Sequence, residues 1–195
     1  MAGPATIDRY QTAFEALCDR RLRQSMYSEC DVLMRDVLLT LHGQMHTARR
    51  AMELKLFRRN FIHYYEREVY PGIVEETLAP FLAAGRVDLP EFGFLVNINL
   101  SASIAGIDRE HSPAETEALL ALVRKFSEGA TLFHSTRDKA EVVEEVAEAM
   151  ATFDERFFQR SLVRREALID QHASGVLAEE ELPRDVLTVL LLNRE

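Results

Sequence analysis

Long segments of this chain run without a glycine or proline to interrupt them, and that absence constrains the fold more than any motif does. Only six prolines and eight glycines punctuate 195 residues, and Ala, Leu, Glu and Arg recur between them, so helix is favoured over strand and the chain reads as mainly α. A 47% hydrophobic content supplies one sizeable core. No repeat, low-complexity tract or Pro/Gly/Ser-rich linker divides the chain, so residues 1–195 read as a single domain or part of one.

Local signals place the elements. Helical spacing predicts a helix over Gln11–Arg20 that buries Phe14, Leu17 and Cys18, then an irregular stretch through Ser25–Asp36. Gly43 precedes a helical run to Phe57, and a second run covers Phe61–Ala84, with Pro71 as its kink or break and Gly85 as its stop. Arg86–Leu89 reads as a short strand. Beyond Pro90, Ile98, Leu100, Ala102 and Ile104 alternate with Asn97, Asn99, Ser101 and Ser103, the pattern of a half-buried strand. Ser112-Pro113-Ala114-Glu115 opens a helix toward Gly129 with an N-cap and a proline at the first helical position. Another helical run, with room for one break, extends from Thr136 to His172 and ends before Gly175, and Leu182–Leu192 starts a last helix introduced by Pro183.

Charge and cysteine usage exclude several classes of function. A net charge of -9 and a pI near 5.2 disfavour phosphate backbones, so nucleic acid is not an expected partner. Cys18 and Cys30 form neither a zinc pattern nor a disulfide framework, and MAGPATIDRY has no secretory character, so a reducing cytoplasm is expected. Phe92–Ile107, the longest uncharged stretch, is too short to span a bilayer, so no membrane association is expected. A nucleophile elbow and a phosphate-cradling glycine loop are both missing.

The most informative chemistry follows Gly43. At 100° per residue His46, Arg50, Glu53 and Phe57 fall within a sector of roughly 60° on one helix face. A histidine and an arginine one turn apart there are able to hold carboxylates through charge-assisted hydrogen bonds. Spacing alone leaves a second reading open, in which Arg50 pairs with Glu53 on a solvated face. His42 and His46 also have i,i+4 metal-ligand spacing, but the stretch between them lacks the glutamate that a metalloprotease helix needs. Glu141, Glu144, Glu145 and Glu148 form a solvated acidic stripe opposite a buried face of Val142, Val143, Val146 and Met150. Arg49, Lys55, Arg58 and Arg59 form a basic patch suited to an acidic protein partner.

LLTLHGQMHTARRAMELKLF resembles the start of helix C in bacterial cytochrome P-450 enzymes, with His46, Thr47, Arg50 and Phe57 in register. TAFEALCDRRLRQ is similar to helix B of that family. GRVDLPEFGFLVNINLSASIAGI is similar to its short strand and helix E, Pro113–His172 to its F and G helices, and DVLTVLLLNRE to the start of helix I. The resemblance implies an incomplete cytochrome P-450 fold, helices B to H and the start of helix I with at most a short β segment. It also turns the strand pattern of Phe92–Ile107 into an expected helix.

By resemblance, His46 and Arg50 bind the propionates of haem b. Met34, Leu39, Phe126 and Ala130 line the pocket for a small apolar substrate, and Arg49, Lys55, Arg58 and Arg59 meet a ferredoxin-type redox partner. The activity implied is monooxygenation by a haem-thiolate. The family's ligating cysteine has a phenylalanine seven residues before it and a glycine two after. Cys18 has Gln11 and Arg20 at those places, and Cys30 has Arg23 and Val32. The expectation is therefore the N-terminal half of such an enzyme, inactive alone. The competing expectation is a non-enzymatic helical ligand-binding or interaction module.

Overall fold

The structure, a computed structural model, describes residues 6–110 and 112–193. The reading of MAGPATIDRY falls outside the described residues at Met1–Ala5, and that of DVLTVLLLNRE does so at Arg194 and Glu195. Among the described residues there are ten α-helices and no strand. They are α1 Tyr10–Cys18, α2 Asp31–Met34, α3 Gly43–Glu53, α4 Arg59–Tyr64, α5 Tyr70–Ala83, α6 Leu89–Ala105, α7 Pro113–Ala130, α8 Lys139–Phe153, α9 Gln159–Ala173 and α10 Val186–Leu192.

Several helices begin where a side chain satisfies an end amide. Asp88, Ser112, Asp138 and Asp185 accept hydrogen bonds from the backbone N–H of Glu91, Glu115, Glu141 and Thr188, at 3.0, 3.2, 3.0 and 2.8 Å. The Ser112 cap with Pro113 behind it is the one expected. Asp185, rather than Pro183, starts the last helix.

Two helical runs widen instead of breaking. Tyr65–Val69 and Asp154–Phe158 are π-helical turns, closed by Tyr70 N–H to the Tyr65 carbonyl and Gln159 N–H to the Asp154 carbonyl. The first lies just before Pro71. A residue without an N–H cannot continue the α ladder, and the wider turn keeps the chain helical through that point. Both turns bury an aromatic residue, Tyr65 and Phe157.

Three expectations are corrected. Arg86–Asp88 is irregular rather than strand, since no neighbouring strand pairs with it among the described residues and the Asp88 cap starts α6 at Leu89. Helix α1 forms, but Phe14 is 52% and Leu17 88% exposed and Cys18 is exposed as well, because α1 shares no extended contact with another element. Ser25–Asp36 contains a 3-10 turn, Ser28–Cys30, followed by α2.

The helix expected over Phe92–Ile107 is present as α6, and its misleading alternation has a physical cause. Ile98 and Ala102 are buried one turn apart, Asn97 and Ser101 are exposed, and Asn99 and Ser103 find partners. The Ser103 hydroxyl donates to the Asn99 carbonyl, and the Asn99 amide reaches helix α5. This core cluster adds Leu119, Leu120 and Phe157 to Ile98 and Ala102. A second cluster joins Cys30, Leu132, Val142 and Val146 where α2 meets α7 and α8, with Val143 and Met150 packed against it, as the face opposite the acidic stripe requires. No helix among the described residues is long and apolar enough to cross a membrane.

Candidate functional site

Gly43, at φ +60°, turns the chain into α3, and His42 caps that helix with an extended φ of -137°. His42 therefore stands outside the helix, and the i,i+4 histidine pair does not share a helical face. Among the described residues no group of three or more His, Cys, Asp or Glu is placed to hold a metal ion.

Within α3 the charges sort differently from the spacing argument. Arg49, not Arg50, takes Glu53: its Nε lies 3.9 Å from Glu53 Oε1, and its Nη2 donates to the Asp36 carbonyl at 3.4 Å. The i,i+4 geometry brings the longer pair together. His46, half-buried, and Arg50, exposed, one turn apart, have no side-chain hydrogen bond or ion pair among the described residues. After Glu53 the chain tightens into a 3-10 turn, Leu54–Phe57, which buries Leu56 and leaves Phe57 68% exposed.

The basic patch divides in two. Arg49 is engaged as above and Lys55 Nζ donates to Asn193 Oδ1, linking the end of α3 to the end of α10. Arg58, the cap of α4, and Arg59, whose Nε lies 3.3 Å from His63 Nε2, are exposed. Met34, Leu39, Phe126 and Ala130 have different surroundings. Met34 is buried, Leu39 is 58% exposed, Phe126 packs edge-on to Phe153 in the second cluster, and Ala130 ends α7.

A groove of about 840 Å³ instead opens between α5, α6 and the start of α7. Along it Asn99 Nδ2 donates to Thr77 Oγ1 at 3.1 Å, and Arg109 Nη2 donates to Asn99 Oδ1 at 2.7 Å. The Arg109 Nε is buried and has no acceptor among the described residues. Burial pulls the Arg109 guanidinium below its ordinary pKa, an effect tempered by the charges of Glu76 and Glu115.

No family model, curated protein or solved structure matches this chain.

A second polar centre ties three distant segments. Arg165 Nε donates to Asp185 Oδ2 at 2.9 Å and its Nη1 to Asp108 Oδ2 at 2.8 Å. The Asp108 N–H donates at 2.8 Å to the Ser161 hydroxyl, which itself donates to the Phe157 carbonyl of the π turn at 2.6 Å. Tyr65 Oη donates to the Arg184 carbonyl at 2.7 Å, and burial pushes that phenol well above its ordinary range. These bonds are internal and join the chain just after α6 to α9 and to the start of α10.

Neither Arg109 nor Arg165 stood out in the sequence. The available signal was Asn99, one of four polar residues in the uncharged stretch Phe92–Ile107, which needs a partner wherever it is packed against another helix.

Proposed function

We propose that this chain carries the propionate-binding helix of a cytochrome P-450-type haem-thiolate monooxygenase, with His46 and Arg50 as donors to the propionates of haem b. One observation carries the reading: on α3 Arg49 is committed to Glu53 and Asp36, while His46 and Arg50 keep their donors without an internal acceptor. A guanidinium and an imidazole one turn apart match two carboxylates on one edge of a planar group.

The fit is partial. The helix supplies anion donors, but neither cysteine suits the iron. Cys30 is 1% exposed in the second apolar cluster, where burial pushes its thiol upward, away from the thiolate an iron ligand requires. Cys18 sits on the separate helix α1. The axial thiolate in this reading comes from outside these two residues, and no oxygen chemistry is assigned to the chain. The exposed Arg58 and Arg59, flanked by Arg49 and Lys55, suit an acidic, ferredoxin-type electron donor in the cytoplasm. The small apolar substrate would meet Met34, Leu39, Phe126 and Ala130 only through surfaces completed by other residues.

Haemin titrated into the 195-residue chain tests this. Binding followed by absorbance is expected to weaken at least about tenfold when His46→Ala and Arg50→Ala are combined, since two charge-assisted bonds are lost. With carbon monoxide the reduced complex is expected to show no thiolate-type band. Equal haemin binding by the double variant would sink the propionate assignment, and a thiolate band would return the iron ligand to Cys18 or Cys30.

The groove supports a second reading, a helical ligand-binding module, because it is a concave volume of about 840 Å³ whose walls mix apolar side chains with Thr77, Asn99 and Arg109.

A further inference from the structure

We propose that the groove between α5, α6 and α7 receives helix α1 of a second copy of this chain, in a reciprocal exchange that makes a dimer. On α1, Tyr10, Phe14 and Leu17 follow i, i+4 and i+7 spacing, which puts them within a sector of roughly 60°. All three are exposed, and the Tyr10 and Phe14 rings stack at 6.3 Å. Helices that dock in grooves use anchors at this spacing. The groove, about 840 Å³, is of the size that holds a drug-sized molecule, and three large side chains amount to one. Ile73, Pro80, Phe81, Val87 and Leu95 form its apolar lining.

Charge selects the occupant. Glu76, Asp88, Glu91 and Glu117 line the groove against Arg86 and Arg109, so its potential is negative. Arg9, Arg20, Arg21 and Arg23 bracket the α1 anchors and outnumber Asp8, Glu15 and Asp19. Arg21 is taken by Asp19, while the guanidinia of Arg9 and Arg20 have no hydrogen bond or ion pair among the described residues. In a chain of net charge -9 this segment is locally basic, and complementary potentials steer it to an acidic groove. The same net charge repels an anionic membrane surface, which disfavours that occupant for α1. Within one copy α1 shares no extended contact with another element, so its face is open to a second copy. Two dockings, each covering an aromatic pair and a leucine together with the facing groove, bury on the order of 1,200 Å², the lower end of stable interfaces.

The dimer uses neither His46 nor Arg50, so its failure and that of the haem reading are distinguishable. Sedimentation equilibrium of the 195-residue chain, from about 1 to about 300 μM, is expected to show monomer and dimer in exchange. Phe14→Glu/Leu17→Glu, on a helix without extended contacts, is expected to weaken the dimer at least about tenfold, as is Glu91→Lys/Glu117→Lys in the groove. Arg20→Glu/Arg23→Glu is expected to weaken it too, yet to restore dimerisation when combined with Glu91→Lys/Glu117→Lys, because both signs are then exchanged. A bifunctional maleimide is expected to join the exposed Cys18 to the thiol of Ala84→Cys on the groove wall, in a species of twice the chain mass. A monomer at every concentration, assembly beyond a dimer, or a dimer indifferent to the α1 or groove changes overturns the proposal. So does a combined charge exchange without recovery, or a Cys18 link formed only within one chain.

Discussion

Arg165 Nε donates to Asp185 Oδ2 at 2.9 Å with both side chains under one-tenth exposed, and the other carboxylate oxygen of Asp185 caps α10 through the Thr188 N–H. One buried carboxylate thus joins α9 to the start of α10. Burial works against the Arg165 charge, but hydrogen bonds from its guanidinium to Asp108 and Asp185 outweigh that and hold its pKa above the ordinary value.

Arg165→Met is expected to destabilise the protein by about 3–5 kcal/mol, because it leaves the buried Asp185 without its counter-charge. Urea unfolding of wild type and variant measures the difference. The double variant Arg165→Met/Asp185→Asn is expected to recover part of the loss, and a loss under about 1 kcal/mol for the single change would show that the pair contributes little.

Gly106 ends α6 at φ +83°, and a Cβ on it would lie 2.6 Å from Asp185 Oδ1. Gly106→Ala therefore meets both a left-handed backbone and the capping carboxylate, costing about 2 kcal/mol or more. Gly85, at φ +66° with open space around it, isolates the backbone part. Thermal unfolding is expected to rank Gly106→Ala well below Gly85→Ala; equal losses would remove Asp185 from the explanation.

The thiols are expected to react at very different rates. Cys18 is exposed, whereas Cys30 is 1% exposed with its pKa raised by burial. Iodoacetamide at pH 8 should modify Cys18 in the folded protein and reach Cys30 only on unfolding, as mass spectrometry of peptides would reveal. Gly129→Ala, whose Cβ would sit 2.7 Å from Val146 Cγ2 and 3.1 Å from Cys30 Sγ, is expected to overpack that cluster and accelerate Cys30 labelling. Unchanged labelling would mean that the cluster yields without loosening.

Arg137 connects three carboxylates, reaching Glu128 at 3.0 Å, Glu141 at 3.4 Å and Glu145. Its hydrogen bond holds Glu145 below the ordinary 4.5. A carboxylate with a lowered folded pKa adds stability above 4.5, and that contribution disappears as pH falls through the lowered value. Arg137→Gln is thus expected to be slightly less stable than wild type at pH 7 and to converge with it in acid. The pair is solvent-exposed, so the effect is small and shrinks further in salt. A gap that widens as pH falls would contradict this assignment.

Local chemistry alone determined much of this protein. Ser112 and Pro113 announced α7, Gly175 the end of α9, and Val142 and Val146 the buried face of α8, since capping and helical periodicity act within one or two turns of chain. The helix that carries His46 and Arg50 one turn apart was legible for the same reason, as was the acidic stripe opposite that face. Tertiary structure decided which side chains met. It left Phe14 and Leu17 exposed for want of a packed neighbour, gave Glu53 to Arg49, and widened the chain into π turns at Tyr65 and Asp154. It also brought Arg165 to Asp108 across 57 residues of sequence and Arg109 to Asn99 beside the groove. Those pairings depend on how helices pack, and periodicity reports which face of a helix is apolar but not which helix covers it.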